Sequence, residues 1–260
     1  MKLAFIGTGK IVSDALGAVE PVENLERTAI FARPRSKGKA QAFADQYQIP
    51  EVYTDYTQLL EESTADTVYI GLINSAHYPY AKQALEYGKN VILEKPFTGF
   101  YDQAVELRDL AKEKRRFIFE AVTILHNEVF TEMKKNVAKL GNIKMALCNY
   151  SQYSSRYDAY KAGGEVPHAF DPAFYGELCM TSTSTTSTTA SAYLANLTTP
   201  LTTRTWGQTG SIPRGPWCLA MTALAQFAPG PRIPTARATC PSKGTKVSCT
   251  LPASLTSQAS

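Results

Sequence analysis

Acidic residues all but vanish from the last third of this chain. Residues 177–260 contain one acid, Glu177, beside six basic residues, which leaves 22 acidic and 21 basic residues before them. The net charge of +4 is therefore a property of the tail. The near-neutral remainder lacks the basic footprint that a nucleic acid requires, and no nucleic-acid partner is expected. Cysteine is scarce as well: of five, only Cys148 precedes residue 176, which fits a reducing compartment. No run of eighteen apolar residues occurs, so no membrane span is expected. The first residues lack the basic start, apolar stretch and small-residue cleavage site of a secretory signal, and the expected location is cytoplasmic. Three scattered histidines and a single early cysteine offer no metal-ligand spacing, so no metal is expected.

What is present is a regular alternation of strand-like and helix-like segments at βαβ spacing. Lys2 to Ile6 is a short apolar run ending in glycine, as a buried parallel strand should be. A helix follows from about Lys10, then a strand over Thr28 to Ala32 and a helix over Ser36 to Tyr47. Val68 to Ile73 reads as a strand, Pro79 to Tyr87 as a helix closed by Gly88, and Asn90 to Leu93 as a strand. Tyr101 to Glu113, with Ala104, Leu107, Leu110 and Ala111 on one face, predicts a helix, and Phe117 to Val122 a further strand. The fold class is α/β: a doubly wound sheet whose ligand crevice lies at the carboxyl ends of its strands.

From Asn127 the texture changes to a helix reaching about Leu140 and a strand over Ile143 to Tyr150, the start of a second α/β, open-sheet domain. The expected division is a dinucleotide-binding domain over 1–122, an incomplete second domain over 123–176, and a tail over 177–260. The tail holds 18 threonines in 84 residues without apolar periodicity, and is expected to be unstructured.

Gly7-Thr8-Gly9, between an apolar strand and a helix, is the beginning of a dinucleotide fingerprint. The first glycine permits a tight turn and the second lets a pyrophosphate approach the backbone at the helix N-terminus. Its third glycine position holds Val12. A chain that prefers NAD usually places an acid at the end of the second strand, for the ribose 2′-hydroxyl. Here the strand runs into Ala32-Arg33-Pro34-Arg35-Ser36-Lys37. Arg33 can accept a 2′-phosphate, with Arg35 or Ser36 in support, which favours NADP. Lys95, directly after the strand Asn90 to Leu93, stands at the edge of the sheet where ligands bind.

The combination of Asn74-Ser75-Ala76-His77, Gly88-Lys89-Asn90-Val91 and Glu94-Lys95-Pro96 with the glycine turn resembles the glucose–fructose oxidoreductase / inositol dehydrogenase (Gfo/Idh/MocA) family. The resemblance covers Met1 to Gly176. It implies a Rossmann domain that binds NADP or NAD, and a second domain that binds substrate and pairs subunits into a homodimer. It places Gly7, Thr8, Gly9, Lys10 and Ile11 along the cofactor, Arg33 at its adenosine ribose, and Asn74 and His77 near the nicotinamide end. Glu94 and Lys95 would lie beside the reacting carbon, with Lys95 as general acid–base and Pro96 shaping the turn that aims it. His126 falls at a position suited to the substrate side, and His168 reads as a loop residue. The implied activity is hydride transfer between NADP and a sugar, cyclitol or dihydrodiol-like alcohol.

The family's second catalytic element is an aspartate in a segment beginning Gly-Gly-Ala-Leu-Tyr-Asp, and no such segment follows Gly176. It does exist in another reading frame. Starting at the third base of the Gly176 codon, Glu177 to Ser182 permits Gly-Ala-Leu-Tyr-Asp-Ile, with the aspartate forced because methionine has a single codon. Continuing to Leu197 permits Asn-Ile-Tyr-Asn-Ile-His-Tyr-Gly-Ile-Gly-Leu-Phe-Gly-Lys-Pro. Farther on, Trp217-Cys218 forces valine and Met221-Thr222 forces aspartate within a strand-like stretch. The expectation is a frameshift near the Gly176 codon and a truncated, impaired oxidoreductase, for which a homodimer is doubtful. The competing reading is a non-catalytic dinucleotide-binding regulator with a disordered tail of its own.

Overall fold

The computed structural model describes residues 1–140, 145–151, 158, 162–163, 166, 168, 171–175, 203–204, 221–226, 235–242 and 245–252. The chain divides into two units: Met1–Ala121 with Asp171–Gly176, and Val122–Phe170 with Glu177–Ser260.

The first unit alternates strands and helices: β1 (Lys2–Ile6), α1 (Lys10–Val19), β2 (Glu26–Phe31), α2 (Lys37–Tyr47), β3 (Glu51–Tyr53), α3 (Tyr56–Glu62), β4 (Thr67–Ile70), α4 (Asn74–Glu86), β5 (Asn90–Glu94), α5 (Tyr101–Lys114) and β6 (Ile118–Ala121). The six strands form one sheet in the order β3-β2-β1-β4-β5-β6, and every neighbouring pair is parallel. The chain's direction across the sheet reverses between β1 and β4, so the topological switch point lies at their carboxyl ends.

Side-chain alternation along the strands sorts the interior into two cores. Ala4, Ile6, Val68, Ile70, Val91 and Leu93 gather with residues of α3, α4 and α5. Leu3, Phe5, Ile30 and Tyr69 gather with Val12 and Leu16 of α1 and Ala40 and Ala44 of α2. Phe5, Ile6, Leu16, Ile30, Ile70, Leu85 and Leu93 are each under 2 % exposed, and burying one such side chain contributes about 1.5–3 kcal/mol. Local chemistry sets the ends: Asp55 caps α3 by accepting from Gln58 N at 3.0 Å, and Arg115 ends α5 in the left-handed conformation.

In the second unit a 3-10 turn, Thr123–His126, precedes α6 (Glu128–Asn136), which Asn127 caps by accepting from Val129 N at 2.8 Å. The later elements are β7 (Met145–Ser151), β8 (Thr203–Arg204), β9 (Met221–Gln226), β10 (Thr235–Ser242) and β11 (Thr245–Pro252). They form an antiparallel sheet in the order β10-β11-β7-β9-β8. Where the sequence led us to expect no structure, four segments after residue 200 are therefore strands. An antiparallel ladder is closed by main-chain hydrogen bonds, and threonine and valine suit its backbone even without an apolar period.

Candidate functional site

At the end of β1 the chain turns sharply while another backbone passes close by. Gly7 takes this turn at φ +119°, a region that side chains rarely adopt, and its amide donates to Phe31 O at 2.9 Å. A Cβ on Gly7 would stand 2.8 Å from Gly71 O, so glycine alone fits. Thr8 leads to Gly9, the N-cap of α1, where no side chain caps the helix and no acid occupies its first turn. The first amides of α1 are thereby left to face an anion, at the end where the helix dipole favours negative charge. Lys10 is exposed and pairs with Asp14 at 3.0 Å, and Ile11 is 42 % exposed. Val12, at the third fingerprint position, is fully buried. The close approach that a glycine there would allow comes from the opposite side: a Cβ on Gly71 would lie 2.6 Å from Val12 Cγ2. From the sequence alone Gly71 is only one residue inside the strand expected over Val68 to Ile73.

Arg33 is exposed just beyond β2, at the N-cap of the 3-10 turn Pro34–Ser36, and Ser36 holds the N-cap position of α2 without a side-chain hydrogen bond to it. The first turn of α2 contains no acid. A strand end without a carboxylate, followed by Arg33, Arg35, Lys37 and Lys39, suits an added phosphate better than a bare ribose hydroxyl.

The end of β5 is built differently. Glu94 is its last residue and is 7 % exposed. Tyr69 Oη on β4 donates to Glu94 Oε1 at 2.7 Å, and the Lys95 amide donates to Oε2 at 3.2 Å. The Lys95–Pro96 peptide is cis. His77, on α4 and only 1 % exposed, places Nδ1 2.8 Å from Pro96 O and Nε2 3.2 Å from Leu72 O. A neutral imidazole has one N–H, which we assign to Nδ1 because it faces the nearer oxygen. On the far side the Phe97 amide donates to Glu120 Oε1, from β6, at 3.0 Å. Three consecutive residues of the turn are thus held from α4, from β6 and by Glu94 itself. Lys95 is half-buried at its centre. Burial pushes its ammonium below the ordinary lysine range, and the charges of Glu94 and Glu120 offset part of that shift. Burial likewise lowers His77, against the two carbonyls that favour its charged form, and raises the Tyr69 phenol, helped by Glu94.

Asn74 opens α4, and its Nδ2 donates to Tyr175 O at 2.7 Å. Tyr175 belongs to the short segment Asp171–Gly176 that joins the first unit. Its ring is edge-on to Phe100, 5.3 Å between centroids, and fills the place where a Cβ on Gly99 would meet Tyr175 Cδ2 at 2.6 Å. The structure therefore brings Asn74, His77, Glu94 and Lys95 to one end of the sheet and Gly7 to Ile11 to the β1–α1 turn. It adds Tyr69, Gly71, Glu120 and Tyr175, which the sequence reading did not single out. A phenol between Val68 and Ile70 in β4 and an acid inside β6 were the available signals for Tyr69 and Glu120. His126 lies in the second unit, at the end of the 3-10 turn Thr123–His126. Among the described residues no cluster could hold a metal ion, and no helix is long and apolar enough to cross a membrane.

The model of an oxidoreductase family with an NAD-binding Rossmann fold (GFO_IDH_MocA) matches residues 1–121. Over 172 residues the chain is 31% identical to scyllo-inositol 2-dehydrogenase (NADP(+)) IolU of Bacillus subtilis, which is 66% of this chain and 52% of that protein. Over 174 residues it is 31% identical to the uncharacterized oxidoreductase YgjR of Escherichia coli, 67% of this chain and 52% of that protein. Among solved structures it is similar to KijD10, a 3-ketoreductase from Actinomadura kijaniata in complex with NADP and TDP-benzene, with TM-score 0.52 and 28% identity. That match covers 56% of this chain and 44% of the other. The chain spans about half the length of the curated relatives it matches.

Proposed function

We propose, from the match of residues 1–121 to the Gfo/Idh/MocA oxidoreductase family with its NAD-binding Rossmann fold, that this chain binds NADP in preference to NAD and that its frame-restored form oxidises a sugar, cyclitol or dihydrodiol-like alcohol. The observation that carries the reading is the half-buried Lys95 in a turn fixed from three directions at the carboxyl end of β5.

The nicotinamide, when bound, supplies the hydride acceptor or donor. Gly7, Thr8 and Gly9 give the pyrophosphate room and backbone amides, with Lys10 and Ile11 beside it. Arg33 takes the 2′-phosphate. Asn74 and His77 act at the nicotinamide end through the segments they hold, Tyr175 and the Pro96 turn. Glu94 tethers the Lys95 amide. Lys95 hydrogen-bonds the substrate oxygen and moves its proton, and its burial brings the ammonium nearer to the range where proton exchange is useful. His126 is the proposed substrate-side residue of the second unit.

We further propose that residues 177–260 are read out of frame, so that this chain is truncated and turns over poorly. The loss of acids after Glu177 and the codon compatibility of residues 177–197 with a family segment support this. The aspartate partner of Lys95 and the sheet that pairs subunits would then lie in the unread frame. Sequencing the gene around the Gly176 codon tests it, and full turnover by the 260-residue chain would refute it. A second reading, a dinucleotide-binding regulator without catalysis, draws on the strands that residues 203–204, 221–226, 235–242 and 245–252 form with β7. An intact frame in the gene would favour that reading.

A further inference from the structure

Glu94 adjoins the lysine on which the proposed chemistry depends, yet among the described residues its carboxylate is hydrogen-bonded elsewhere and not ion-paired with the lysine side chain. Its two oxygens are occupied by Tyr69 Oη at 2.7 Å and by the Lys95 backbone amide at 3.2 Å. Among the described ion pairs none joins Lys95 Nζ to Glu94. The phenol is anchored in turn. Tyr69 is 7 % exposed in β4, in the core with Phe5, whose ring lies 5.8 Å away. A buried carboxylate normally seeks the nearest cation, and here a neutral donor from the adjacent strand holds it instead.

We propose that Tyr69 is a positioning residue for Lys95: by gripping Glu94 Oε1 it keeps that carboxylate folded back on the strand and leaves the ammonium unpaired, with its donors directed to a substrate oxygen. The consequence for turnover rests on the functional reading above, whereas the grip is a matter of geometry alone. Burial lowers the lysine's proton affinity, and the charges of Glu94, the last residue of β5, and Glu120 on β6 oppose it; the lysine's own charge in turn acts on His77 of α4. Tyr69 is coupled in addition to Asp14 of α1. If the phenol is removed, Glu94 is free to rotate and pair with Lys95, which stabilises the ammonium.

The test reads the protonation of Lys95 directly, in the full 260-residue chain and without cofactor. Brief acetylation by acetic anhydride across a pH series, quantified for the Lys95 peptide by mass spectrometry, gives its titration, with exposed Lys37 and Lys112 as internal controls. Tyr69→Phe should raise the Lys95 titration by about one pH unit, so that acetylation near neutral pH falls about tenfold while the control lysines do not change. In a Glu94→Gln background, where no carboxylate is left to rotate, adding Tyr69→Phe should leave Lys95 unchanged. A purely structural role for the phenol would lower the melting temperature without this dependence on Glu94. The proposal is overturned if Tyr69→Phe leaves the Lys95 titration in place in the folded chain, or shifts it equally in both backgrounds. Failure of NADPH to bind would sink the functional reading, and the titration would still decide the grip.

Discussion

Two stretches of the first unit's carboxyl sheet edge, both facing the proposed cofactor, are built by opposite means. At the β1–α1 turn side chains are taken away: a Cβ on Gly7 would meet the Gly71 backbone and one on Gly71 would meet Val12, and the first amides of α1 have no side-chain cap. At the end of β5 side chains are added until the backbone is tied: Pro96 O to His77, Phe97 N to Glu120, Lys95 N to Glu94. A polyphosphate is bound by backbone and helix dipole, which require bare space and unclaimed donors. A proton is moved by one atom of one side chain, whose placement requires everything around it to be fixed. Each construction predicts how it fails.

The largest effect belongs to the added side. In the frame-restored protein, Lys95→Ala should lower turnover on the order of 10²–10⁴-fold while NADPH affinity, measured by fluorescence titration, stays nearly intact. Retained turnover would remove the lysine from the chemistry and dissolve the contrast. On the bare side, Gly7→Ala should destabilise the first unit by roughly 2–4 kcal/mol in urea unfolding, through a strained φ and a clash with backbone. It should abolish cofactor binding as well, and a stable variant that still binds NADPH would show that the close approach is dispensable. Arg33→Ala should weaken NADPH by about 1.5–3 kcal/mol with little change for NADH, through loss of a charge-assisted contact. Equal binding of the two cofactors by the unaltered protein would overturn that preference at once.

The smallest effect sharpens the comparison through pH. Burial holds His77 below its ordinary 6.5, so the folded chain prefers the neutral ring. The stability this provides is complete above about pH 6.5 and is lost as the pH falls through the lowered folded value. His77→Asn should therefore flatten the acid side of the stability–pH curve. A curve that superimposes on that of the unaltered chain would mean that the ring is not a neutral brace of the Pro96 turn.

Much of the first unit was legible because short apolar runs end at turn residues. Lys2 to Ile6 was expected and found as a strand, and Tyr101 to Glu113 as a helix that extends one residue further. Other boundaries moved for physical reasons. Pro79 reads as a helix start, but α4 begins at Asn74 and takes the proline into its interior. That shift brings Asn74 and His77 onto one helix. The strand expected through Ile73 stops at Ile70, because the backbone at Gly71 packs against Val12. β3 and α3 escaped notice because three and seven residues are too few to show a period. Within the site, the sequence displays motifs that are contiguous in the chain, such as Glu94-Lys95-Pro96. Tyr69 and Glu120 act on that turn across the sheet, from 25 and 23 residues away, and register is not written in any local pattern.

Tyr175 has a consequence for the order in which the molecule can be completed. Its carbonyl meets Asn74 from 101 residues farther along the chain, and its ring fills the place beside Gly99. During synthesis the strands through Ala121 emerge first, and that place stays open until some fifty more residues have left the ribosome. Closing so long a loop costs only slightly more entropy than closing a short one, so the late arrival is thermodynamically cheap. It means, however, that a nascent chain halted before residue 171 carries an uncovered glycine and an unpaired Asn74 amide. A change of frame at the Gly176 codon spares every residue of this closing segment through Tyr175. On that account the first unit can still be finished by a chain whose continuation is read in another frame.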